Sequence, residues 1–318
     1  MDALSEVLRL ARFTAGVTLD ATAQAPWSVS IPASASTARA HVTLDNHCVL
    51  RIAGGEPVEL DAGELVFLPH GDAHVIGSAL EAEAVALASL IRAPVAGEFV
   101  PTRVGESGAA ARWVALHSSC ERHLADPLLA CLPSVVRVDI LGAPALNWLT
   151  ASLGLNLSGS DAPPVGAAAR RDRLAELVII EALRRHVNAQ PPGGKGWLAG
   201  LNDRYVGRAL ALVHGRPSEP WTVEKLGRQV GLSRSALAER FSDVMGEPIF
   251  AFLTRWRLQL AAEFLLTTPR SIESIAKEAG YESAGAFSHA FKRVFRKPPS
   301  VWRKRRSAKR RIPPRAER

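Results

Sequence analysis

The spacing of apolar residues changes along this chain, and each change predicts a different kind of element. Residues 2–13 place Leu4, Val7, Leu8 and Ala11 on one side at helical spacing, which predicts a short amphipathic helix. From Trp27 to about Ile91 the apolar stretches become short. Trp27–Ile31, His41–Leu44, Cys48–Ile52, Pro57–Leu60, Glu64–Leu68 and Ala73–Val75 are separated by Gly, Pro, Asn and Asp. Strands this closely spaced predict a small antiparallel barrel or sandwich. Residues 101–167 mix Gly, Pro, Ser and Ala with short apolar runs and define no element clearly. Arg170–Ala189 again reads as helix, its stripe of Leu174, Leu177, Val178 and Ala182 suited to a core or to a second subunit. Gln190–Gly196 (QPPGGKG) is a linker, and everything beyond it reads as helix.

The last third contains one pattern twice. Lys225–Phe241 (KLGRQVGLSRSALAERF) is echoed by Ser274–Phe291 (SIAKEAGYESAGAFSHAF). In each copy an apolar-periodic helix ends at a glycine, Gly231 or Gly280, and a serine, Ser233 or Ser283, is placed to cap the next helix. Helix, tight turn, helix is the unit whose second helix enters a DNA groove. Between the copies, Pro248 suits a first helical turn, and Ile249, Phe252, Leu253, Trp256, Leu260 and Phe264 share a face. About twenty residues make a rod of roughly 30 Å, close to the ~34 Å between successive major grooves on one side of B-DNA.

Charge supports that direction. The 318 residues carry a formal charge of +8. Residues 201–318 hold 24 Lys and Arg against 11 Asp and Glu, and residues 1–200 hold 15 against 20. A basic part joined to a mildly acidic one fits a chain of which only one part meets a polyanion. Three cysteines, Cys48, Cys120 and Cys131, are too few for a disulfide framework. Asp2, Glu6 and Arg9 interrupt the N-terminal apolar residues, and the run Ala84–Ile91 is far shorter than a membrane span. A reducing, cytoplasmic setting with no membrane partner is expected.

The tandem motif, its joining helix and the closing Phe295–Trp302 (FRKPPSVW) resemble the DNA-binding domain of the AraC/XylS transcription regulators over about residues 202–303. The resemblance implies that base edges are met by Ser235, Ala238 and Glu239 in the first unit and by Ala284, Gly285 and His289 in the second, with Ser233, Ser283 and Ser288 on the same helices. Ala238, Ala284 and Gly285 offer at most apolar contact to a thymine methyl, so readout leans on Glu239, Ser235 and His289. Arg234, Arg240, Lys292 and Arg293 are placed as phosphate clamps, with a solvated helix face as the alternative. Arg296 stands where relatives usually carry glycine, which puts the helix cap there in question. Residues 303–318 hold nine basic residues and one acid, and are expected to be a disordered, phosphate-seeking tail.

Gly63–His74 (GELVFLPHGDAH) follows the second cupin motif, and the N-terminal part resembles the cupin-type sensor domains of one AraC subgroup. That implies an effector pocket near His41 and His74. His41 and His47 do not form His-x-His, and Ser78 replaces the motif's final Asn, so a pocket for a small organic molecule, or structural histidines, is preferred over a metal. No cofactor is expected.

The fold expected is α+β: a cupin-like antiparallel jelly roll with C-terminal helices over 1–196, an all-α tandem helix-turn-helix domain over 197–303, and a tail over 304–318. The expected function is a DNA-binding transcription regulator, not an enzyme, responding to a small-molecule effector. Its expected partners are promoter double-stranded DNA, RNA polymerase and a second copy of itself. Alternatives are a thiol-based redox regulator using Cys48, Cys120 or Cys131, a metal-dependent cupin enzyme carrying a DNA-binding module, and a non-specific architectural DNA binder.

Overall fold

The computed structural model describes residues 2–91, 102–105, 107–140, 142–157, 165–191 and 193–309. Helix α1 (Ala3–Leu10) precedes β1 (Thr14–Gln24), β2 (Ser28–Ile31), β3 (Ala38–Asp45), β4 (Cys48–Ile52), β5 (Val58–Leu60), β6 (Glu64–Leu68), β7 (His74–Gly77), β8 (Val85–Ala86) and the short α2 (Leu87–Leu90). Then come β9 (Thr102–Val104), β10 (Ala110–Ser119), α3 (Arg122–Leu129), β11 (Val136–Asp139), α4 (Pro144–Leu157) and α5 (Ala167–Asn188). The remaining elements are helices: α6 (Trp197–Asn202), α7 (Arg204–Gly215), α8 (Val223–Val230), α9 (Arg234–Met245), α10 (Ile249–Thr267), α11 (Ile272–Glu278), α12 (Ala284–Phe295) and α13 (Pro299–Lys309). No helix among the described residues is long and apolar enough to cross a membrane.

Contacts divide the chain into two compact units. One comprises Arg12–Cys120 and Leu132–Ala189, and the other the residues up to Ala11, Glu121–Cys131 and the chain from Gln190 on. Helices α1 and α3, which the sequence reading counts with the first 196 residues, therefore pack inside the helical unit, α1 against α7 and α3 against α10. The amphipathic α1 buries Ala3, Glu6 and Val7 there, and the Glu121 N–H donates to the Ala11 carbonyl, tying the end of α1 to the start of α3.

In the sheet-rich unit, six strands run in the order β11-β6-β3-β10-β1-β9 and five in the order β5-β4-β7-β2-β8. The pairings are antiparallel except at the edges, where β9 runs parallel to β1 and β8 parallel to β2. Among the described residues the two sheets do not close into one hydrogen-bonded cylinder. They form a sandwich, because alternate side chains from both meet in one core that includes Leu19, Trp27, Val29, Leu50, Leu60, Leu68, Ile76 and Trp113. Trp27 stacks on Trp113 at 5.5 Å. Helix α5 lies against β1, and β3 and β10 bury residues on both faces. At Gly71, with φ of +69°, a Cβ would lie 2.3 Å from the Ser34 carbonyl oxygen, so the turn of the Pro-x-Gly motif admits only glycine.

The helical unit is built on the repeated pattern. Thr222 and Ser271 cap α8 and α11 by accepting from Lys225 N and Ser274 N. Helix α10 does not bury a single stripe. Ile249, Phe252, Leu253 and Trp256 are buried in its first half, and Leu258, Ala261, Ala262 and Leu265 join Ile275, Phe287, Phe291 and Trp302 in a second core. A helix that carries one reading unit at each end is covered nearly all round. Helix α13 continues through Lys309, so the segment expected to be disordered from 304 begins as helix. Residues 310–318 lie outside the described residues.

Candidate nucleic-acid interface and sensor groove

Each recognition helix starts on a serine cap. Ser233 Oγ accepts from Ala236 N at 3.2 Å to open α9, and Ser283 Oγ accepts from Ala286 N at 3.1 Å to open α12. The preceding turns match as well: Leu232 N donates to Gly227 O, and Tyr281 N to Ala276 O, each at 2.9 Å. Leu237, Phe241, Phe287 and Phe291 are fully buried and fix the inner faces of both helices. The opposite faces carry Ser233, Arg234, Ser235, Glu239 and Arg240 on α9, and Ser283, Gly285, His289, Lys292 and Arg293 on α12, all exposed. Ala238, Ala284 and Ser288 are half-buried. Thus the side chains selected from the sequence share one surface on each helix. On α12, His289, Lys292, Arg293 and Arg296 line a concavity of about 550 Å³, a cradle of positive charge suited to a phosphate backbone.

Two expected phosphate clamps are engaged within the chain. Arg240 makes a forked ion pair with Asp203, its closest approach 2.7 Å, and lies over the Tyr205 ring at 5.2 Å. Asp203 also caps α7, accepting from Tyr205 N and Val206 N, and these donors with Arg240 hold its carboxyl below the usual range against the opposing effect of burial. Arg240 therefore fastens α9 to α7. Arg234 pairs with Glu224 at 2.9 Å, but both are well exposed, so that pair is easily exchanged for phosphate.

In the sheet-rich unit, His41 is fully buried and His74 nearly so. The Trp113 Nε1–H donates to His41 Nδ1 at 3.0 Å. His41 must therefore carry its proton on Nε2, which faces His74 Nε2 at 2.8 Å. His74 in turn donates from Nδ1 to the Asp72 carbonyl at 2.7 Å. The direction of every hydrogen bond is fixed, and both rings are neutral. Burial is the main force lowering both imidazole pKa values, most strongly at His41, where His74 and Arg39 add to it. Trp113, the anchor of this chain, lies in the stretch from which the sequence defines no element.

His47 is exposed and bonded to Asn46, while Ser78 Oγ accepts from Trp27 N at 3.0 Å. With His41 and His74 bonded to each other, the residues that a cupin metal site would draw on are otherwise engaged. His74 does reach the wall of an open groove of about 840 Å³, shared with Ile31, Pro32, Ile52, Ala53, Val75 and Ala86, with Arg51 contributing its charge. His41 stands behind that wall. The Cys48 thiol is buried and pushed up to about 11, chiefly by burial, which makes it unreactive; Cys120 is half-buried and Cys131 exposed.

A cupin family model matches residues 2–188, and a helix-turn-helix domain model matches residues 226–305. A putative AraC-like transcription regulator of Streptomyces antibioticus is 31% identical, the match covering 96% of this chain and 99% of that protein. The HTH-type transcriptional regulator AlkR of Acinetobacter baylyi is 28% identical over 95% and 99% of the two chains. An RCS-specific transcriptional activator, RclR, of Escherichia coli is 25% identical over 96% and 98%. With a cupin domain followed by two capped helix-turn-helix units on one connecting helix, this chain belongs to the AraC-like transcription regulators, DNA-binding proteins and not enzymes.

Proposed function

We propose that this regulator activates transcription when a small molecule occupies the groove beside β7, and that α9 and α12 select the promoter by direct contact with bases. The observation that carries the effector reading is the groove itself: a largely apolar concavity large enough for a small organic ligand, with the His74 ring in its wall and Arg51 as its charged group. A ligand can shift a regulator only through unequal affinity for two of its states, and the His41–His74–Trp113 chain offers a rigid wall against which such a difference can develop. An apolar molecule with an anionic group fits this lining best. Activation matches the activator role named for the Escherichia coli relative, and contact with RNA polymerase in the cytoplasm belongs to the same proposal. Trp148 on α4 and Leu177 on α5 remain 65% and 48% exposed, which supports self-association through these helices.

The test uses a promoter-reporter and purified protein together. Ala53, exposed on the groove, is replaced by Trp to fill it without entering the core. The variant is expected to bind promoter DNA normally and to lose its response to inducing compounds. A full response would move the effector site elsewhere. For base selection, Glu239→Asp withdraws a carboxylate that can accept from cytosine N4 while keeping the charge. It should reduce promoter affinity more than affinity for random duplex, and equal changes would make Glu239 a structural residue of α9.

A further inference from the structure

We infer that Glu121, His123 and Glu263 form a binding site for a divalent transition-metal cation, zinc being the best match, that fastens α3 to the middle of α10. All three lie in the helical unit. Each offers one ligand atom, and the three atoms lie within 4.8 Å of one another. His123 Nε2 is 3.4 Å from Glu263 Oε2, and it makes no hydrogen bond among the described residues. That separation is long for a hydrogen bond to an imidazole. It matches the edge of a tetrahedron around zinc, since ligands at about 2.0–2.1 Å stand roughly 3.4 Å apart. Glu121, half-exposed at the start of α3, completes the set with a ligand atom within 4.8 Å of the other two.

The donor set and its setting both suit an ion. One imidazole and two carboxylates with a fourth, open position is a zinc-binding combination, and the half-exposed Glu121 leaves an entry path and room for a water. The backbone and rings around the ligands are already held in place. Glu121 N donates to Ala11 O, and its own carbonyl accepts from Leu124 N, fixing the start of α3. His123 lies edge-on to Trp302 at 6.1 Å, and Trp302 Nε1 donates to the carbonyl of Ala262, the neighbour of Glu263. Glu263 is 7% exposed beside Ala261, Ala262 and Leu265, so its carboxylate is held in place within the helical unit. Ligation requires the neutral imidazole and two carboxylates, and binding releases no covalent product.

The experiment titrates zinc chloride into full-length protein stripped with chelator, read by calorimetry and by thermal melting. The expected result is one zinc per chain at micromolar affinity or tighter, a raised melting temperature, and at least tenfold weaker binding in both His123→Gln and Glu263→Gln. Melting of each variant without zinc verifies that it folds. X-ray absorption should show nitrogen and oxygen neighbours only. The inference is overturned if the wild type binds no stoichiometric zinc below 100 µM on this scale of about micromolar expectation, if binding survives intact in both variants, or if a sulfur neighbour assigns the metal to a cysteine.

Discussion

His214 gives a sharp test of how the helical unit is packed. It sits in α7, 1% exposed, with its ring 4.4 Å from that of Trp256 and 5.5 Å from Phe252. Its Nδ1–H donates to the Leu210 carbonyl at 2.7 Å, so Nε2 carries the lone pair, and that atom is buried with no hydrogen bond among the described residues. Protonation would place a charged N–H against aromatic carbon, and burial accordingly lowers the pKa from 6.5 to about 4. A histidine depressed in the folded state stabilises the fold while it stays neutral. Its contribution is whole above the unfolded pKa, falls as pH drops below about 6.5, and is lost by pH 4. At 1.36 kcal/mol per pH unit, the loss between pH 7.5 and pH 4.5 is about 2.5 kcal/mol from this one residue. Urea unfolding at those two pH values, followed by tryptophan fluorescence, measures it. His214→Phe keeps a ring in the aromatic cage and removes the titration, so its acid loss should be smaller by about 2 kcal/mol. Equal acid sensitivity in wild type and variant would refute the burial argument.

Arg296 ends α12 in the left-handed conformation at φ of +59°, a strained position for a side chain with a Cβ. Arg296→Gly should stabilise the helical unit by about 1 kcal/mol in thermal unfolding while weakening DNA binding through the lost charge, and destabilisation would contradict the cap assignment. Gly227→Ala should destabilise the helical unit, because its Cβ would meet the Leu232 carbonyl oxygen at 2.7 Å in the first helix-turn-helix turn. A loss of about 1–3 kcal/mol is expected, with a matching fall in DNA affinity, and a neutral result would mean that the turn yields. Asp203→Asn should cost stability as well as DNA binding, since it frees Arg240 and weakens the α7 cap. Tighter DNA binding with unchanged stability would instead make Arg240 a phosphate clamp.

The second half of the chain was more legible than the first for a physical reason. The helix-turn-helix repeat writes its caps into local sequence: Ser233, Ser283, Gly231 and Gly280 act over three or four residues, and each occupies its expected place. Strands β4 and β6 were likewise read to the residue, because Cys48–Ile52 and Glu64–Leu68 are short apolar runs bounded by turn residues. Strands β1 and β10 were missed, although they pair over ten positions at the heart of the larger sheet. Both strands bury residues on both faces, with α5 lying against β1, which removes the alternation that reveals a half-exposed strand. The Arg240–Asp203 tether and the Trp113–His41–His74 chain depend on residues 33 to 72 positions apart, and no local pattern carries such partners. Glu263 escaped notice because a glutamate in a long helix ordinarily faces water.

Selective recovery of genomic DNA fragments by the purified full-length protein tests the central claim most directly. A regulator that reads bases through α9 and α12 should enrich a small set of promoter fragments that share a motif across two successive major grooves. It should hold them at least about a thousandfold more tightly than random duplex at physiological salt. Binding without a shared motif, equal for promoter and random DNA and abolished together by salt, would contradict it.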